Sequence, residues 1–542
     1  MTPSDDRYDA VIVGSGFGGS VMAHRLAAAE PKLNVCLLER GKAWPPGSFP
    51  RTPAEFQRAL WAPGEGQHGL YDVWSFSGIG ALVSSGLGGG SLIYANVMLP
   101  KDADSFVHDT VFDGPPRWPI DRADLDPHYA AVATMLSPVE YPEHLLAVTP
   151  KARAFRAAAE GMGRVPTPLA VTFSSEDEEP GTPFGEPGDN LHGRQRYTCR
   201  LGGECDVGCN FGSKNSLDYT YLSAAKRAGA EIRCRHEVKL VAPDGDGYRL
   251  EVVDHTDAVE GQPPSVPPRR LTLRTRRLIL SAGALGTPYL LLSNRSSFPR
   301  ISRMLGERFC GNGDFLAFAA RCREPLESAV GPVITSAVRT PTHYIEDGGY
   351  PVFLAWVAQM LDTPRIAWGA RRVGLHLLWR RLTGRRERNI SFELSELLGD
   401  PRVSAGTLPI LGMGLEPPQG RQKLRDGLLD IEWSFDRARP YFDSVRGTIA
   451  ELSERLGGRF EDDILWRLNA VMTVHPLGGC PMGATADEGV VDPRSGEVHN
   501  YPRLHVADGS VMPGPVGANP SMTIAAVADR FADAILAEEG RL

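Results

Sequence analysis

The chain has 542 residues, 42% hydrophobic and 23% charged, a globular balance that excludes intrinsic disorder, a fibrous repeat and a coiled coil. At roughly 150 residues per domain it is long enough for two large domains or three to four smaller ones. With 58 Lys plus Arg against 66 Asp plus Glu the net charge is −8, without the basic excess that phosphate neutralisation requires, so no nucleic-acid partner is expected.

The N-terminus, MTPSDDRYDAVIVG, carries no basic segment followed by an apolar core and a cleavage site, and no export signal is expected. No apolar run reaches the roughly 18 residues of a membrane span. Eight cysteines are too few for a disulfide framework and suit a reducing, cytoplasmic compartment. Cys199, Cys205 and Cys209 cluster, but their spacing fits neither a zinc knuckle nor a common iron–sulfur run, so no metal is expected there.

The first chemistry-bearing motif is a β-rich run, YDAVIV, leading into GSGFGG at 14–19 and then into SVMAHRLAAAE, which reads as a helix. Gly14 permits the tight turn, Gly16 lets the backbone beside Phe17 approach a pyrophosphate, and Gly19 lets helix and strand pack closely. A second strand, NVCLL, ends at Glu39, twenty residues past Gly19, where a carboxylate can accept the hydroxyls of an adenosine ribose. No other segment repeats this fingerprint, so one dinucleotide is expected, FAD or NAD.

Three further segments bear on that choice. GLGGGSLIYANV at 86–97 is a second Gly-dense loop, and its Gly88, Gly89, Ser91 and Asn96 are candidates for wrapping a pyrophosphate and reaching an isoalloxazine edge. RRLILSAGALGTPYLLLSN at 276–294 reads as a strand, a small-residue turn containing Ala282, and a helix. The stretch 504–535 runs from a strand through Asp508-Gly509 and a Pro/Gly loop into a helix that starts near Pro520 and includes Met522.

With these segments, together with TCRLGGECDVGCNFGSKNSLDYTYL at 198–222 and VHPLGGCPMG at 474–483, the chain resembles the glucose–methanol–choline (GMC) family of FAD oxidoreductases, most closely its cholesterol-oxidase branch. The resemblance implies an α/β fold, a Rossmann-like FAD-binding domain (1–100, 195–315 and 470–542) interleaved with a substrate domain (101–194 and 316–469) built on a mostly antiparallel sheet. It departs from the family at Asn294-Arg295, where the second signature ends in Ser-Gly. The 86–97 loop also lacks the His that some members bond to the flavin, which implies FAD held non-covalently. The resemblance places Asp508 and Gly509 at FAD phosphate or ribitol and Val238 at the adenine, although Val238 also reads as an ordinary strand valine.

Oxidising an alcohol with a flavin requires a base beside the carbinol. His475, in HPLGGC, is the candidate by resemblance. Asn519 supplies an amide at the same point or, on its own chemistry, caps the helix after Pro520. Glu346, in YIEDGGYP, sits in a Gly/Pro-flanked loop between an expected strand, GPVITSAV, and an apolar run. By resemblance to steroid-acting relatives it would shuttle the proton that moves a double bond; otherwise it belongs to a solvated acidic turn with Asp347.

Residues 361–390, LDTPRIAWGARRVGLHLLWRRLTGRRERNI, are basic and apolar at once. They suit either an interfacial helix touching a membrane peripherally, with Arg heads at lipid phosphates, or an Arg-rich helix buried on two sides. The expected reaction is oxidation of a bulky apolar alcohol, a 3β-hydroxysteroid first and a long-chain alcohol second, with oxygen or another carrier accepting the electrons. A flavin-dependent lyase on the same fold is the alternative class.

Overall fold

The computed structural model describes residues 7–106, 118–352 and 405–541; the basic segment 361–390 lies outside the described residues. Strand Arg7–Val13 forms the middle of a sheet, parallel to Val35–Glu39 on one side and to Arg269–Leu280 on the other. Val35–Glu39 is buried along its whole length and pairs in parallel with Glu231–Cys234. These strands are continuous apolar runs because both faces of a parallel sheet are covered. Helix Phe17–Ala27 packs there against Ser521–Glu538 and Tyr221–Ala228.

The strand expected from 276 begins at Arg269. Its first half pairs antiparallel with Gly247–Asp254, and only its last three residues pair in parallel with Leu504–Val506. In that first half exposed Arg and Thr alternate with less exposed residues, so the apolar signal appears only where the strand enters the core.

A second sheet is antiparallel throughout, in the order Arg459–Asp462, Phe315–Ala320, Leu408–Gly414, His343–Asp347, Ala337–Arg339, Arg164–Val165. Helix Phe435–Arg455 covers it with a stripe at helical spacing that includes Ala438, Tyr441, Phe442, Val445, Ile449 and Leu452. Of the expected strand GPVITSAV only the last two residues are extended in this sheet. Thr335 and Ser336 instead donate their backbone N–H groups to the Asp347 carboxylate at 2.7 and 2.8 Å. Glu346 is not in a loop and not in a solvated turn. It lies in His343–Asp347, in register with Ala337 and Leu411, and both Glu346 and Asp347 are fully buried. Sheet pairing on both sides overrides the turn character of the following Asp-Gly-Gly.

A small third sheet joins the two. Hairpin strands Tyr71–Ser75 and Ile79–Ser84 are extended by Val471–Thr473, parallel to Ile79–Ser84, and this pairing delivers His475 to the space between the larger sheets. No helix among the described residues is long and apolar enough to cross a membrane.

Candidate active site

A cavity of about 1180 Å³ is bordered by the carboxyl ends of the parallel strands on one side and by Phe315, Leu316, Phe318 and Leu411 of the antiparallel sheet on the other. At one end of the cavity the turn after Val13 is held by contact. Gly14 has φ +100°, and a Cβ there would lie 2.2 Å from the Ser281 carbonyl oxygen. A Cβ on Gly16 would meet nothing within 4 Å, so the backbone stands open toward the cavity at the N-terminus of helix Phe17–Ala27, where orphan N–H groups and the helix dipole favour phosphate. Gly19 lies behind this turn, its would-be Cβ 2.0 Å from the Gly14 carbonyl oxygen; it packs helix on strand and does not border the cavity.

Glu39 borders the cavity floor. Its Oε2 accepts from Ser15 N at 3.1 Å and Ser15 Oγ at 2.6 Å, and its Oε1 from Gly41 N at 2.8 Å. Burial pushes its pKa up, and those hydrogen bonds only partly counter it. Val238 and Ala282 also border the cavity. Asp508, beside Gly509, accepts from Ser510 N and Oγ through Oδ1 and from Gly283 N and Thr287 Oγ1 through Oδ2. It thereby ties the turn after Arg269–Leu280 to the C-terminal strand.

The second Gly-dense loop presents Gly89, Gly90, Ile93, Tyr94, Ala95 and Val97 to the cavity. A Cβ on Gly89 would lie 2.7 Å from Gly16 Cα, so the two loops meet backbone to backbone. Gly88, Ser91 and Asn96 sit behind that wall. Gly88 N donates to Ser15 Oγ at 3.0 Å, and Ser91 Oγ donates to Gly88 O at 2.8 Å while accepting from Leu217 N at 3.1 Å. Asn96 is fully buried at φ +73°, its side-chain amide without a hydrogen-bond partner.

At the other end of the cavity the Ser521–Glu538 helix begins with Pro520 as its N-cap and no side-chain cap. Pro520 and Ser521 border the cavity and Met522 faces away from it into the core. Asn519 therefore does not cap. Its Nδ2 donates to Glu346 Oε2 at 3.3 Å, and its buried Oδ1 is unpaired. Asn519 and His475 border the cavity together, whereas Glu346 lies behind Asn519 and does not. Burial pushes the Glu346 carboxyl up to about 8, against the lowering effects of Asn519 and His475.

The residue that sequence reasoning missed is Asp314. His475 Nδ1 lies 2.7 Å from Asp314 Oδ1, and Asp314 Oδ2 accepts from Thr473 Oγ1 at 2.9 Å, Val474 N at 2.8 Å and His475 N at 3.1 Å. A carboxylate only accepts, so Nδ1 carries the proton and Nε2 is left as the acceptor. Burial acts to lower the imidazole pKa, but the charge and hydrogen bond of Asp314 and the charge of Glu346 outweigh it and raise the value. Asp314 stands in GNGD, which has no recognisable catalytic pattern, so no sequence signal marked it.

The arrangement fits a flavin dinucleotide. An open Gly16 backbone at a helix N-terminus meets a second glycine loop, and the unpaired Asn519 amide oxygen lies beside the start of another helix.

Comparison with known proteins agrees. The N-terminal and C-terminal profiles described as GMC oxidoreductase match residues 8–310 and 418–528. A cholesterol oxidase of Acinetobacter baumannii is 28% identical over 98% of this chain and 94% of its own length. A long-chain-alcohol oxidase of Arabidopsis thaliana is 25% identical over 96% of this chain and 65% of its own. Among solved structures, a formate oxidase of Aspergillus oryzae studied for its FAD modification superposes with a TM-score of 0.61 at 14% identity over the full length of both chains. The protein belongs to the GMC oxidoreductases and is an FAD-dependent enzyme acting on alcohols.

Proposed function

We propose that the protein oxidises a bulky apolar alcohol, a 3β-hydroxysteroid or a long-chain alcohol, with FAD held non-covalently and oxygen as the final acceptor. The observation that carries this reading is the pairing of an oriented imidazole, His475 on Asp314, with Asn519 at the edge of a cavity whose lining includes the apolar side chains of Ile93, Val97, Phe318, Val333, Ile334 and Leu411. Relatives that are cholesterol and long-chain-alcohol oxidases support the substrate class and the acceptor. The absence of histidine from residues 86–97 supports non-covalent FAD.

In this reading Gly16, Gly89 and the N-terminus of helix Phe17–Ala27 hold the pyrophosphate, Glu39 the ribose and Val238 the adenine. Bound FAD supplies the acceptor for the hydride equivalent that leaves the carbinol carbon. His475 Nε2 takes the hydroxyl proton as the carbon–oxygen double bond forms, and Asp314 stabilises the resulting imidazolium. Asn519 holds the carbinol oxygen, and the apolar walls exclude water, so the proton passes to His475 and not to solvent.

Glu346 would act on a Δ5 sterol after oxidation, as a carboxylate taking a proton from C4 and returning it at C6. Its place behind Asn519, off the cavity border, favours the second reading, an apolar alcohol that needs no isomerisation. The deciding experiment is an anaerobic screen of sterols, long-chain alcohols and sugars followed by flavin absorbance. Bleaching by an apolar alcohol supports the proposal. A flavin that stays yellow with every alcohol points to a lyase.

A further inference from the structure

Residues 311–314, Gly-Asn-Gly-Asp, touch both halves of the reacting pair. Asp314 holds His475 by its side chain and backbone. Two residues earlier, Asn312 is fully buried with φ +54°, a left-handed conformation that Asn tolerates better than most residues. Its Oδ1 accepts from Val516 N and Gly517 N, both at 2.9 Å, and its Nδ2 donates to Ala518 O at 2.9 Å. Two backbone donors on one atom and a carbonyl on the other leave the amide a single satisfactory orientation. One side chain thus ties down the three residues that immediately precede Asn519.

The backbone between these two side chains is itself held from several sides. Glu416 Oε2 accepts from Gly311 N and Gly313 N, both at 2.9 Å, and its Oε1 accepts from Trp433 Nε1 at 2.7 Å. The Thr473 hydroxyl shares its one proton between Asp314 Oδ2 and Gly311 O, both at 2.9 Å, while Gly414 N donates to Asn312 O at 2.9 Å and Tyr441 Oη to Gly313 O at 3.0 Å. The segment cannot slide without leaving buried polar groups unpaired.

We propose that residues 311–314 form a rigid spacer that sets the position of Asn519 relative to His475, with Asn312 as the positioning residue for Asn519. The inference rests on the reading of His475 and Asn519 as the pair that meets the substrate hydroxyl. Asn312 reaches neither the cavity nor the reacting atoms; it acts through the 516–518 backbone. Small displacements of reacting groups are costly, so its effect should fall on the rate of the chemical step and not on the proton affinity of His475.

The test is anaerobic flavin reduction by the best alcohol, scaled to bound FAD and measured across pH, in Asn312→Gly and Asn312→Asp. Glycine adopts φ +54° without strain, so the first variant deletes the clamp alone. Aspartate keeps both accepting bonds but replaces the donor to Ala518 with a second oxygen that can only accept, set against the Ala518 carbonyl. Asn312→Gly is expected to lower the limiting rate by roughly 10- to 100-fold while leaving the midpoint of the acid limb in place, and Asn312→Asp to lower the rate as well. A lowered melting temperature with the parent rate per bound FAD would mean a merely structural role and would overturn the inference. If Asn312→Gly does not accumulate with FAD, Asn312→Asp decides: a slowed limiting rate with the acid limb in place supports the spacer, and the parent rate or a slowing that comes only from a shifted acid limb overturns it. Parent rates in both His475→Ala and Asn519→Ala would overturn the pairing and the spacer with it. Slowed His475 and Asn519 variants beside an unaffected Asn312→Gly would overturn the spacer alone.

Discussion

Nδ1 of His475 lies 2.7 Å from Oδ1 of Asp314, a residue 161 positions earlier in the chain. The other oxygen of that carboxylate accepts the backbone N–H of the same histidine at 3.1 Å. Ring and main chain are therefore held by one group, and Nε2 is the ring nitrogen left as an acceptor.

His475→Ala should slow flavin reduction by about 10²-fold or more, since positioned acid–base groups contribute about 10²–10⁴. FAD should stay bound, because the loops we propose to hold the nucleotide are other segments. Stopped-flow absorbance with the best alcohol reads this, and near-parent reduction would remove His475 as the base.

Asp314→Asn should lower the rate and also move the pH profile. Asp314 acts to raise the His475 pKa above its ordinary value of 6.5, so the neutral, proton-accepting form in the parent predominates only above that raised value. Removing the charge lowers the pKa, and the acid limb of the reduction rate should shift to lower pH. A limb that stays in place would show that a different group titrates there.

Glu346→Gln has two readouts. If the substrate is a Δ5 sterol, the variant should reduce its flavin yet release the unconjugated ketone, seen as missing enone absorbance; conjugated product at the normal rate clears Glu346 of that role. The second readout is stability. A carboxyl pushed from 4.5 to about 8 by burial favours folding while protonated, and that contribution is lost as pH rises through this window. Glutamine carries no charge at any pH, so the melting temperature of the variant relative to the parent should rise between about pH 5 and about pH 8. A constant difference would mean that Glu346 does not titrate there.

Glu39→Arg should weaken FAD retention. The substitution removes the carboxylate we propose for the ribose and also the acceptor of the Ser15 and Gly41 hydrogen bonds that hold the glycine turn against the strand. FAD content after gel filtration measures it, and parent-like occupancy would take Glu39 out of the nucleotide site.

Acid precipitation of the purified yellow protein should leave FAD in the supernatant, because Ile93 and its neighbours in 86–97 offer no nucleophilic imidazole. Flavin that remains with the precipitate would require another attachment point.

Local chemistry was enough to read the glycine turn and the acid that border the cavity. Strand, glycine turn, helix and a terminal acid lie within the first 39 residues, and the reasons for Gly14, Gly16 and Glu39 are contacts within or just beyond that unit. His475 and Asn519, which border the cavity together, were legible as motifs, because each sits in a turn whose Pro and Gly residues stand out in the sequence. What joins them was not. Asp314 and Asn312 carry no pattern of their own, and their partners lie 161 and more than 200 positions away. Glu346 was misread as a loop residue because the Gly-Gly-Tyr-Pro after it signals a turn, whereas pairing to Ala337 and Leu411 decides its conformation. The sequence by itself determined which residue types and which local turns are present. Only the tertiary structure decided which side chains meet, because strands distant in the chain complete their hydrogen bonds with one another and carry those side chains to a common point.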